Sequence, residues 1–123
     1  MKTLLFIGAG SFLGGISRYL LSLGIQQRIH STFPFGTFAV NLLGCFLIGV
    51  VFEFFELDKL SLEWRLFLAT GVLGGFTTFS AFSNETVGLL RDGHTAIAVW
   101  YVALSVIVGL LATLAGINLV RLI

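Results

Sequence analysis

Few side chains in this 123-residue chain can do chemistry, and most of those carry no charge. Set into apolar stretches are the amide of Asn41, the hydroxyls of Thr37, Tyr101 and Ser105, and the rings of Phe79 and Phe82. One acid, Glu85, and one base, Arg18, stand at the margins. Amide and hydroxyl donors without fixed charge suit a small anion, which must exchange its hydration shell for hydrogen bonds. Aromatic ring edges are positive, so Phe79 and Phe82, at i and i+3, can meet an anion edge-on. No carboxylate or histidine lies centrally in an apolar stretch to run a proton-coupled cycle, Glu85 being the sole candidate. A passive pathway therefore fits better than a pump.

Each of these residues has a plainer use as well. Thirteen phenylalanines supply helical pairs by chance. Tyr101 and Ser105 head a stripe that Gly109 and Thr113 continue at spacings of four, which serves a packing seam as readily as a polar track. Arg18 reads equally as a charge that snorkels to the interface and as one with a partner inside. Thr37, Asn41 and Gly44 fall on one helical face. Asn41, costly in hydrocarbon unless satisfied, is expected to face protein or a polar path, though it can also simply hold two helices together.

What must position these groups is the stretch Gly74-Gly75-Phe76-Thr77-Thr78-Phe79-Ser80, inside the uncharged run Leu66 to Ser83. Adjacent glycines and two β-branched threonines are poor material for an unbroken helix. The expectation is a break, with Gly74 or Gly75 closing a first half-helix and Thr77 or Thr78 capping a second. Carbonyls would then be exposed on one side, suiting a cation, and N–H groups on the other, suiting an anion. At about 1.5 Å per residue, 62–73 and 80–91 each reach roughly 18 Å, which puts the break near the middle of a bilayer. Bare backbone at that depth must be covered by protein or line a polar cavity.

Hydrophobic residues make up 57% of the chain and charged residues 11%, and the mean hydropathy is +1.03. That excludes a soluble domain and indicates an all-α integral membrane protein. Four helices are expected over about 3–24, 35–52, 62–91 and 95–120, as a single transmembrane domain with short polar connections. Lys2 with the apolar run after it imitates a signal peptide, yet no clear cleavage site follows. Gly10 and Gly14 put small residues on one face of the first helix, where a neighbour can approach closely. The one cysteine, Cys45, reads as a small buried residue. No basic run points to nucleic acid, and His30 and His94, in different connections, form no nucleophile-and-base pair, so no enzyme is expected.

With alternating helices, one side holds Lys2, Lys59, Arg65 and Arg121 and the other Arg18, Arg28 and Arg91. A bias this small gives little preferred orientation, and insertion both ways permits an antiparallel homodimer.

The chain resembles the Fluc (CrcB) fluoride channels. The likeness runs through Gly10, Gly14 and Arg18-Tyr19, through Gly36-Thr37 with Asn41-Leu42 and Gly44, through the run Gly74 to Ser83, and through Tyr101 with Ser105. It implies a dual-topology antiparallel homodimer in the cell (inner) membrane, with two pores that pass fluoride out passively and exclude chloride. It further implies that Phe79 and Phe82 are pore rings and Asn41 the amide of the path. Tyr101 and Ser105, with Thr37 near them, would continue the polar track, Arg18 would sit at a vestibule and Glu85 near the path. A structural sodium ion at the dimer centre would lie on backbone carbonyls of Gly74 and Thr77. Two positions depart from some members of that family, Ala81 where threonine is common and Gly109 where serine can extend the track. The competing expectation is a small dual-topology multidrug-type exporter, which relies on a glutamate in its first helix that this chain lacks.

Overall fold

The structure, a computed structural model, describes all of residues 1–123. Four helices are long and apolar enough to cross a membrane: Lys2–Arg28, Phe35–Glu56, Leu62–Arg91 and Thr95–Arg121. They are called spans one to four below. Spans one and two run several residues past the ends that hydropathy suggests, through Gln26 to Arg28 and Glu53 to Glu56. Polar residues end the apolar stretch there without ending the helix, because backbone pairing continues into the interface.

Span one lies along span three, and span four along span two. Both pairs meet backbone to backbone. A β-carbon on Gly10 would sit 2.6 Å from the Phe67 carbonyl oxygen, one on Gly14 would overlap that of Val72, and one on Gly75 would sit 2.5 Å from that of Ser11. In the other pair, Gly49 faces the Thr113 carbonyl and Gly116 that of Phe46, again without room for a methyl group. Close approach through small residues is how helices associate where lipid removes the hydrophobic drive. Thr113 Oγ1 donates to the Cys45 carbonyl at 2.9 Å and to that of Gly109 at 3.2 Å, and Arg121 Nε donates to Glu53 Oε1 at 2.7 Å. Only 17 of 123 residues are buried within the chain, and large apolar side chains such as Phe12, Trp100 and Leu110 point outward. A surface of that kind belongs against lipid or another apolar surface.

Span three is the irregular one. Ser61 caps its start by accepting from the Trp64 N–H at 3.4 Å. Leu62–Arg65 is α-helical, Leu66–Leu73 winds as a wide π-helix, and Gly74–Phe76 returns to one α-turn. Thr77 and Thr78 are extended, with φ, ψ of −81°, 155° and −148°, 115°. Helix resumes at Phe79–Arg91, where Thr78 Oγ1 accepts from the Ala81 N–H at 3.2 Å. The expectation that Gly74 or Gly75 closes the first half-helix does not hold, since both lie within the helical turn that ends at Thr77. Their use is steric, because span one comes so near that Gly75 leaves no room for a side chain.

Candidate functional site

The extended pair Thr77–Thr78 deprives several carbonyls of their partners. In a continuous helix the Thr78 N–H would pair with the Gly74 carbonyl; here it donates to Asn41 Oδ1 at 2.8 Å. Asn41 Nδ2 returns a bond to the Thr78 carbonyl at 3.1 Å. One side-chain amide thus does for Thr78 what a neighbouring strand would do, and its second Nδ2 hydrogen is left for another acceptor. The shared face of Thr37, Asn41 and Gly44 points at span three throughout. Thr37 reaches Glu85, Asn41 reaches Thr78, and a β-carbon on Gly44 would meet the Thr77 methyl group.

Glu85 is the hub of the second cluster. Thr37 Oγ1 donates to its Oε1 at 2.7 Å, and the fully buried Tyr101 donates through its hydroxyl to Oε2 at 2.7 Å. The carboxylate is thereby satisfied at both oxygens. Both hydroxyl protons point at Glu85, so an anion can use them only by displacing that carboxylate. This arrangement is not legible in the sequence, because the pairs lie 48 and 16 positions apart.

Phe79 and Phe82 have ring centroids 5.7 Å apart, and Phe82 lies 5.1 Å from the Tyr101 ring. Phe79 is 79% exposed in the single chain, so its ring forms part of an open surface rather than a core. A cavity of about 410 Å³ opens beside them, its wall including Asn41, Gly74, Thr77, Phe79, Phe82 and Ser105. The stripe on span four therefore divides. Tyr101 bonds Glu85 and Ser105 borders the larger cavity, while Gly109, with space for a β-carbon 3.4 Å from the Cys45 sulfur, and Thr113 serve the seam with span two.

A second cavity, of about 220 Å³, is polar and lies beyond Thr78, lined by Arg18, Ser22, Gln26, Thr37 and Glu85 among others. Thr78 borders both cavities. Arg18 has its partner inside, since its Nε donates to the Gly75 carbonyl at 3.2 Å. No group of three or more His, Cys, Asp or Glu is placed to hold a metal ion by side chains.

Apolar crossing helices enclosing an interrupted backbone and a set of neutral donors define a small multi-pass membrane protein. The family model described as CrcB-like protein, Camphor Resistance (CrcB), matches residues 5–117, and this chain belongs to that family. Among similar proteins, one from Chlorobaculum tepidum is 49% identical over 123 residues, covering 99% of this chain and 97% of its own. One from Rhizobium meliloti is 47% identical over 123 residues, covering 98% of each. A third, from Flavobacterium psychrophilum, is 44% identical over 122 residues, again with 98% of each covered. All three are named fluoride-specific ion channel FluC.

Proposed function

We propose that this chain forms a passive, fluoride-selective channel that lets fluoride leave the cell and so relieves its toxicity. The observation that carries the reading is Asn41, fixed to Thr78 by two hydrogen bonds, with its remaining N–H beside Phe79, Phe82 and Ser105 at one cavity. The naming of relatives that match nearly the whole chain supports fluoride as the ion. Fluoride crosses by leaving water in the vestibule near Arg18, then passing the Thr37, Glu85 and Tyr101 cluster and the donors around Asn41 and Ser105. No basic side chain lies on the inner part of that route, so the ion is held by hydrogen bonds and ring edges and released again. A weakly hydrogen-bonding anion such as chloride gains less from the same donors and stays out.

The working unit is an antiparallel homodimer of both orientations, with the interruption of span three at mid-membrane. The exposed Phe79 ring, the open cavity beside it and the near-balanced basic residues support that reading. Sodium fits the backbone as a structural ion. Gly74 and Thr77 carry carbonyls that no backbone N–H reaches, both residues border the larger cavity, and carbonyl oxygens at unwound helix suit a hard monovalent cation. Two carbonyls from one chain are few for such an ion, and a two-fold partner doubles them. Bound there, the cation would supply charge that holds the carbonyls together at the dimer centre.

Anion efflux from liposomes carrying the purified protein tests the function, with fluoride and chloride compared under one potassium gradient and an ionophore clamping voltage. Fast fluoride loss with chloride retained is the expected outcome. Retention of both anions by folded protein would overturn the reading.

A further inference from the structure

We propose that Arg18 is a positioning residue for the backbone carbonyls at the interruption of span three, separately from the charge it lends the vestibule. The inference rests on the reading of Gly74 and Thr77 as holders of a cation.

Gly10, Gly14 and Arg18 are spaced by four and form one stripe on span one. All three touch the irregular part of span three. Gly10 lies against Phe67 and Gly71, Gly14 against Val72 and Phe76, and Arg18 hydrogen-bonds the Gly75 carbonyl. Span one is thus a splint laid along the π-helix and across the interruption, with Arg18 at its end.

The Gly75 carbonyl needs this. Its helical partner would be the Phe79 N–H, which begins the next helix and does not reach it. The peptide between Gly74 and Gly75 joins two residues without β-carbons, so once the ladder is lost it is the easiest in the span to rotate. Rotation there would swing the Gly74 carbonyl away from the cavity. Fixing the adjacent Gly75 carbonyl to span one opposes that rotation, and so does the Ser11 backbone of the same span, packed against Gly75. Arg18 makes the bond through Nε, which leaves its two Nη groups unbonded within the chain, and the residue lines the polar cavity. One guanidinium does both jobs because its donors diverge in a rigid fork.

Two substitutions separate the jobs. R18K keeps the positive charge but has a methylene where Nε was. R18Q places an amide nitrogen the same number of bonds from Cα as Nε, and removes the charge. The readout is thermal unfolding of the purified protein in detergent, titrated with sodium against a background of an organic cation. Loss of one hydrogen bond from a charged donor weakens a dependent equilibrium by about tenfold. R18K is therefore expected to need about tenfold more sodium for half-maximal stabilisation, and R18Q to stay within about twofold of the unsubstituted protein. In low-salt liposomes R18Q should show slower fluoride efflux, which marks the separate effect of charge. An R18K midpoint equal to the unsubstituted one, or an R18Q midpoint shifted as far as that of R18K, would overturn the assignment. If R18K does not fold, R18M takes its place: it too has no donor where Nε was, and the same tenfold shift is expected of it while R18Q stays near the unsubstituted midpoint. Absence of any sodium stabilisation in the unsubstituted protein would instead remove the cation reading itself, and this inference with it.

Discussion

Asn41 commits both ends of its amide to Thr78, so its substitution has two effects that one measurement cannot separate. N41A leaves a backbone N–H and a carbonyl without their side-chain partners, at a cost of about 1–3 kcal/mol. Thermal unfolding in detergent is expected to drop along with fluoride efflux. A drop in stability with flux retained would assign Asn41 to packing alone. Phe82 allows a cleaner experiment because no hydrogen bond depends on its ring. F82I should reduce fluoride flux and leave the protein folded, since isoleucine keeps bulk but has no positive edge to offer an anion. Unchanged flux would take that ring out of the path.

Among the elements, span three depends on span one more than on its own propensity. A methyl group on Gly14 would overlap the Val72 carbonyl, whereas one on Gly15 meets nothing within 4 Å in the chain. G14A is expected to abolish or strongly reduce the yield of folded protein, and G15A to be close to neutral, by size-exclusion profile in detergent. Equal behaviour of the two would mean that the spans do not meet as described. The four spans were legible in the sequence because hydropathy is a local signal, and the glycine pair and threonines drew attention to the stretch in which Thr77 and Thr78 lie extended. The role of the glycines was not, since a cap and a close approach ask for the same residue and only the neighbour's position distinguishes them. Eight wide-turn residues at Leu66–Leu73 were equally hidden, an apolar run having no polar face to reveal its period. The bonds of Glu85 to Thr37 and Tyr101, and of Arg18 to Gly75, join distant parts of the chain and leave no local mark.

For the molecule as a whole, the proposal of two orientations makes a countable prediction. Single cysteines placed in the connection before Pro34, in a C45A background, should be labelled by an impermeant reagent from both sides of the membrane in similar amounts. Labelling from one side alone would exclude the antiparallel pair. The wide turns of span three also bear on how such chains vary in length. A π-turn holds an extra residue at the same height as an α-turn, which is the form an inserted residue takes when the helix beyond it keeps its phase. Loss of one residue within Leu66–Leu73 can therefore be absorbed by tightening to an ordinary turn. The same deletion between Phe82 and Glu85 would rotate Glu85 by about 100° and carry it away from Thr37 and Tyr101. Tolerated insertions and deletions in span three should gather in the first of these stretches rather than the second.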